Sequence, residues 1–284
     1  MDIGKILVVG AGQMGSGIAQ VAAQSGIDVV LSDLSLKESQ KGLAGITKNL
    51  ERLVAKGRIT REDRDQALGR ITCAEGLSVG SAADMVIEAV VEEVDVKRAL
   101  FNELGATCPE DVIFASNTSS ISITRLGRAS GRPDRFAGMH FMNPVPVMQL
   151  VEVIRGLETS DDTVAAVTSL AQRLGKQPVV MSDSSGFVVN RLAIPMINEA
   201  VYCLSEGVAD AESIDTCARL GLNHPMGPLA LADLIGLDTV VSILEVLAAE
   251  TGDPKYRPCP LLRRMVDAGR LGRKSGRGFY SYSE

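Results

Sequence analysis

The sequence predicts an α/β protein: a doubly wound, mostly parallel sheet covered by helices, followed by an all-α segment. Three observations carry that expectation. Over the first two-thirds of the chain, short apolar runs alternate with charged, periodic stretches, as strands alternate with crossover helices. A glycine pattern, "GAGQMG", follows the first apolar run directly. After "SDSSGF" (182–187) the alternation stops and helical periodicity takes over. The boundary is therefore placed at Ser185, dividing the chain into 1–185 and 186–284.

Taken in order, "KILVVG" (5–10), "IDVVLSD" (27–33), "DMVIEAV" (84–90), "DVIFASN" (111–117) and "RFAGMHF" (135–141) read as strands. "MQLVEVI" (148–154) and "QPVVMS" (177–182) extend the same sheet. Charged, periodic stretches at 36–57, 60–70, 93–106 and 160–174 read as helices. In the second part, "GFVVNRLAIPMINEAVYCL" (186–204) is apolar nearly all round and predicts a buried helix, kinked at Pro195. No convincing strand precedes the closing "GFYSYS".

The bulk composition narrows the class of protein. The chain has 284 residues, 45% hydrophobic and 23% charged, enough for two globular domains. A net charge of −6 gives no reason to expect binding to nucleic acid or to an anionic membrane. The five cysteines (73, 108, 203, 217 and 259) form neither a CxxC pair nor a metal-type cluster, which fits reduced thiols in a cytoplasmic protein. No apolar stretch reaches the ~18 residues that a membrane span requires. The first strand begins almost at Met1, leaving no room for a signal peptide.

Gly10, Gly12 and Gly15 stand in GxGxxG spacing between a strand and a helix. Such glycines permit a tight turn, close approach of a pyrophosphate to the backbone, and close packing of helix on strand. The helix N-terminus then offers unpaired N–H groups to the phosphates. The second strand ends in Asp33, at about the distance where an acid bonds ribose hydroxyls and repels a 2′-phosphate. Together these features predict a dinucleotide site that takes NAD rather than NADP.

"MHFMNPVPVMQLVEV" (139–153) sets one of only two histidines among apolar neighbours and follows it with a lone acid. Hydride transfer to a nicotinamide needs a group that takes the hydroxyl proton, and imidazole titrates near neutrality. Candidate groups come from "SNTSS" (Asn117, Ser119), "MHFMNP" (His140, Asn143), "LVEV" (Glu152) and "GFVVNR" (Asn190). Each alone has an ordinary alternative. Ser119 can be a helix N-cap, Glu152 a solvent-facing strand residue, Asn190 a backbone partner in a buried helix, and His140 a core histidine. The second histidine, His224 in "NHPMGP", reads as part of a turn.

The stretches "GAGQMGSGIAQ", "ASNTSSISI", "GMHFMNPVPVMQLVEVI", "GFVVNR", "NHPMGPLALADLIGLD" and "LGRKSGRGFY" together resemble the L-3-hydroxyacyl-CoA dehydrogenases, most nearly the bacterial 3-hydroxybutyryl-CoA dehydrogenases. The resemblance implies a Rossmann-like NAD-binding domain and a helical domain for substrate and dimerisation. It implies His140 as catalytic base paired with Glu152, with Ser119 and Asn190 on the substrate oxygens. It also implies that Glu92, Lys97, Asn117, Asn143 and Lys274 line the NAD site, with Asp33 and the glycine loop (Gly10, Gly12, Gln13, Met14, Gly15); Ser119 belongs to that lining too. Relatives of this kind serve butanoate or storage-polymer metabolism and fatty-acid or aromatic breakdown. One departure is Ser185, where the family usually has proline.

Lys48, Arg52 and Lys56 recur every four residues, so they share one helix face. A solvated surface is the ordinary reading of such a run. The repulsion among like charges at this spacing would be relieved by a phosphate-bearing ligand. The resemblance implies that Arg52 and Lys56 bind the phosphates of coenzyme A. Two other readings stay open: a dehydrogenase of free hydroxy acids or sugar acids, like the gulonate dehydrogenases, and a non-catalytic NAD-binding protein, like the lambda-crystallins. The apolar helices after 186, "PLALADLIGLDTVVSILEVL" among them, exceed what one small domain should bury, and predict a homodimer through that domain.

Overall fold

The computed structural model describes residues 3–77 and 83–282. The chain divides into two compact units, Met1–Ser184 and Ser185–Glu284. The first unit holds β1 (Lys5–Val9), α1 (Gln13–Gln24), β2 (Asp28–Asp33), α2 (Leu36–Ala55), α3 (Arg61–Gly69), β3 (Ile71–Glu75) and β4 (Met85–Glu88). It continues with α4 (Val94–Thr107), β5 (Ile113–Ser116), α5 (Ile123–Ala129), β6 (Phe136–Phe141), β7 (Leu150–Arg155), α6 (Asp161–Arg173) and β8 (Gln177–Ser182).

The eight strands form one sheet in the order β3-β2-β1-β4-β5-β6-β7-β8. From β3 to β6 every neighbouring pair is parallel. Then β7 pairs antiparallel with β6, and β8 pairs parallel with β7. The strand order reverses at β1, whose neighbours are β2 on one side and β4 on the other. In such sheets the crevice at the carboxyl ends beside the reversal is where ligands bind. Central strands covered on both faces must be apolar throughout, and Ile6, Leu7 and Val8 of β1 are fully buried.

Helix starts follow from short polar side chains. Ser35 accepts from Glu38 N at the head of α2, and Ser160 from Thr163 N at the head of α6. Thr60 and Asp63 close a reciprocal capping box at α3. On α2 the period of 3.6 divides the faces, with Ile46 and Leu50 buried while Lys48 and Arg52 remain exposed.

The strand β3 was not anticipated. "ITCAE" is a short edge strand in which only Ile71 is buried, so it lacks the apolar run that marked the other strands.

The second unit is helical: α7 (Val189–Ser205), α8 (Ala211–Gly221), α9 (Pro228–Ile235), α10 (Leu237–Thr251) and α11 (Pro260–Asp267). Its core gathers Ile194, Ile197, Val201, Leu229, Val240, Leu244, Leu247 and Leu262. The segment 186–188, expected to be helical, is instead a turn with Gly186 and Phe187 at positive φ, and α7 then runs continuously through Pro195. Nor is α7 buried all round: Leu192 is 69% exposed. Of the closing "GFYSYS", the described residues 278–282 form no strand. They are held by isolated bridges and by Asp233, whose carboxylate accepts from Phe279 N, Tyr280 N and Tyr282 Oη. Among the described residues no helix is long and apolar enough to cross a membrane.

Candidate active site

The glycine loop leaves β1 at the point of strand reversal. Gly10 has φ +98, and a Cβ there would lie 2.6 Å from the carbonyl oxygen of Ala89. At Gly15 a Cβ would lie 1.7 Å from Gly10 O, so helix and loop touch through backbone alone. Gly12 differs, because among the described residues nothing lies within 4 Å of the corresponding position. No side chain caps α1 and no acid occupies its first turn. Asp33, at the end of β2, accepts from Ala11 N at 2.7 Å and from Leu34 N at 2.7 Å, tying its carboxylate to the same loop. An open backbone cradle, an uncapped helix N-terminus and an adjacent acid together fit the pyrophosphate and ribose of NAD.

The next parallel strand, β4, delivers a second acidic centre. Glu92 Oε1 accepts from Thr118 Oγ1 (2.5 Å), Ser119 N (2.8 Å) and Ser120 N (3.2 Å), and its other oxygen lies 3.3 Å from Lys97 Nζ. One carboxylate thus gathers the loop after β5 that carries Ser119. Burial acts to raise the Glu92 carboxyl, but the Lys97 ammonium and the bonds from Thr118 and Ser119 outweigh it and leave it below its ordinary value of 4.5.

Lys97 is itself buried and pairs with Glu88, which also accepts from Ser116 Oγ at 2.6 Å and Val90 N at 2.7 Å. Burial drives the Glu88 carboxyl above its ordinary value despite Lys97. Sequence reasoning passed over Glu88, although a lone acid in the apolar run "MVIEAV" is the same signal that singled out Glu152.

His140 on β6 stands directly opposite Glu152 on β7 in the antiparallel register. Its Nδ1 lies 2.7 Å from Glu152 Oε2, and the residues are 7% and 1% exposed. The alternative of a solvent-facing Glu152 is thereby overturned. An ionised carboxylate only accepts, so opposite one Nδ1 is the donor of this bond. The neighbouring backbone is also fixed from β5, since Phe141 N donates to Asn117 Oδ1 at 2.9 Å. The capping alternative for Ser119 fails too: α5 is capped by Ser122, which accepts from Arg125 N.

The other candidates fall into three places. Asn143 is exposed where the chain leaves β6, joined to Pro144 by a cis peptide bond. Gln13, Arg52, Asn143 and Val145 line one cleft of about 290 Å³, bounded also by Ser16, Lys48 and Asn49. Lys56 is the C-cap of α2 and does not line that cleft. In the second unit, Asn190 is the second residue of α7, and Lys274 is paired with Asp238 at 2.5 Å. His224 follows Asn223, which has φ 56, in the turn after α8.

Residues 5–184 match the family model of the 3-hydroxyacyl-CoA dehydrogenase NAD binding domain, and residues 186–282 that of its C-terminal domain. A probable 3-hydroxybutyryl-CoA dehydrogenase of Bacillus subtilis is 54% identical over 284 residues, covering 100% of this chain and 99% of the relative. The 3-hydroxybutyryl-CoA dehydrogenase of Bradyrhizobium diazoefficiens is 55% identical over 280 residues, covering 99% and 96%. The crystal structure of (S)-3-hydroxybutyryl-CoA dehydrogenase from Ralstonia eutropha superposes with a TM-score of 0.97 at 53% identity, covering 100% of both chains. With both family models matched in order over nearly its whole length, the chain belongs to the 3-hydroxyacyl-CoA dehydrogenase family and is an NAD-binding oxidoreductase.

Proposed function

We propose that the protein catalyses the reversible, NAD-dependent oxidation of a short-chain L-3-hydroxyacyl-CoA, 3-hydroxybutyryl-CoA, to the 3-ketoacyl-CoA. The observation that carries this reading is the buried His140–Glu152 pair, set on adjacent strands of the sheet that also presents the glycine loop. Bound NAD supplies the acceptor for the hydride leaving C3. The protein's own part is to take the hydroxyl proton at His140 Nε2 while Glu152 holds the ring and offsets the imidazolium charge that develops. Ser119, fixed through Glu92, and Asn190 hold the substrate oxygens in this reading.

Arg52 and Lys56 take the phosphates of coenzyme A, which distinguishes this substrate from a free hydroxy acid. Neither they nor Lys48 form an ion pair among the described residues, and all three are exposed. Glu92, Lys97, Asn117, Ser119, Asn143 and Lys274 line the cofactor site together with Asp33 and the glycine loop. The enzyme acts as a homodimer through its helical unit, a reading supported by the exposure of Val208 (69%), Leu220 (82%) and Leu222 (63%) in the single chain. Five free cysteines favour a reducing, cytoplasmic setting.

The test compares NADH formation from 3-hydroxybutyryl-CoA with that from free 3-hydroxybutyrate. Turnover of the CoA ester alone is expected, and equal rates on the free acid would sink the reading.

A further inference from the structure

The chain between β6 and β7, residues 142–149, is gripped from two sides. Beneath it lies α1, so close that a Cβ on Gly17 would sit 2.8 Å from Cβ of the buried Val145. On the other side stands Lys176, in the turn from α6 into β8. Its ammonium donates to two carbonyls of the loop, Val145 O at 2.5 Å and Met148 O at 2.9 Å. Within the loop, Val147 N and Met148 N both donate to Pro144 O, at 2.9 and 3.0 Å. Those two bonds curl the segment but do not tie it to the sheet. The ties to the rest of the unit run through Val145, through Lys176 and, at the loop's end, through Gln177 N of β8, which donates to Gln149 O at 2.8 Å.

An ammonium is strongly hydrated, and seating it on carbonyls without a carboxylate costs solvation. Lys176 forms no ion pair among the described residues, and burial draws its ammonium below the ordinary lysine value. The side chain is therefore committed to the loop. The loop, in turn, carries groups of the proposed site: Asn143 at its start, and Pro144, Val145 and Pro146, which line the same cleft as Gln13 and Arg52.

We propose that Lys176 is a positioning residue for the dehydrogenase reaction, setting Asn143 and the cleft wall through the Val145 and Met148 carbonyls. It rests on the reading of Asn143 as part of the cofactor site. Losing the tether lets the Asn143 segment shift while His140 and Glu152 stay locked in the β6–β7 ladder. The consequence is weakened cofactor binding with little change in the chemical step.

Lys176→Met keeps the aliphatic stem and removes the donors. Its dissociation constant for NADH, measured by fluorescence titration, is expected to rise fivefold or more, with a matching rise in KM for NAD. Its kcat should stay within threefold of the parent enzyme. Lys176→Arg, which can still donate to both carbonyls, should restore NADH affinity to within twofold, and Lys176→Gln should fall between. If Lys176→Met only lowers the melting temperature and leaves NADH affinity intact, the residue is merely structural and the proposal fails. It fails equally if Lys176→Arg gives no recovery. Because the titration needs no substrate, a wrong assignment of 3-hydroxybutyryl-CoA would appear separately, as absent turnover in the parent enzyme with NADH binding unimpaired.

Discussion

His140 and Glu152 are cross-strand partners in the antiparallel ladder that joins β6 to β7, with Nδ1 and Oε2 2.7 Å apart and both side chains buried. Glu152→Gln should keep the fold and NAD binding while cutting turnover. The amide can still bond the ring, but it cannot offset the imidazolium charge. Loss of a general base is worth roughly 10²–10⁴ in rate, and His140→Ala should be at least as damaging. The double change should be scarcely worse than His140→Ala alone, since in the proposed mechanism both residues act on one proton transfer. Turnover and melting temperature measured on the same preparations check this. A merely structural histidine would lower the melting temperature and spare the turnover of the folded fraction.

In the proposed cofactor site Asp33 has two tasks, because its carboxylate also accepts from Ala11 N and Leu34 N. Asp33→Ala should therefore weaken NAD binding by more than about tenfold, some 1.4 kcal/mol, through loss of the ribose acceptor and loosening of the glycine loop. Calorimetric titration with NAD measures it. Unchanged affinity would refute the role.

Arg52→Glu or Lys56→Glu should raise KM for the acyl-CoA far more than it lowers kcat, because the proposed phosphate contact, remote from the reacting carbon, would supply uniform binding. The same KM should rise with salt in the parent enzyme, since both side chains are exposed. An equal loss in NAD affinity would assign the stripe to something else.

Glu92 and Glu88 should respond to pH with opposite sign. The Glu92 carboxyl is lowered in the fold, so between its folded and unfolded values the native state binds fewer protons. Its contribution is present above the ordinary carboxylate range and is lost as pH falls through the folded value. Glu88 is raised by burial, so its contribution is present at acid pH and is lost as pH rises through its folded value. Melting temperature recorded between about pH 5 and pH 3 should fall less steeply in Glu92→Gln than in the parent. Parallel profiles would show that Glu92 does not hold the Ser119 loop.

Much of this was legible in the residues, and what escaped did so for physical reasons. The glycine loop was readable because close approach of backbone to backbone at Gly10 and Gly15 demands glycine at that spacing, and Asp33 because an acid ending the second strand stands beside that loop. His140 and Glu152 were readable because an isolated polar group in an apolar run must find a partner. The edge strand β3 escaped because half-exposed strands carry no apolar signature. The cap of α5 escaped because "SNTSSIS" offers several hydroxyls, and only the backbone decides that Ser122 takes the role. Lys176 could not be read at all: an ammonium that binds carbonyls answers to no particular residue at its partner positions.

The strand order also sets a timetable for assembly during synthesis. His140 and Glu152 lie 12 positions apart, so a short loop closure brings them together as soon as that hairpin has emerged. The glycine loop waits far longer. Ala89, which packs against Gly10, comes with β4, the strand led in by Asp84, and that aspartate binds Gly4 N across 80 positions. Until then β1 has only one of its two neighbours, and its open edge is exposed to mispairing on a stalled ribosome. A nascent chain arrested before β4 should therefore need chaperone protection at its β1 edge that one arrested after β4 does not need there.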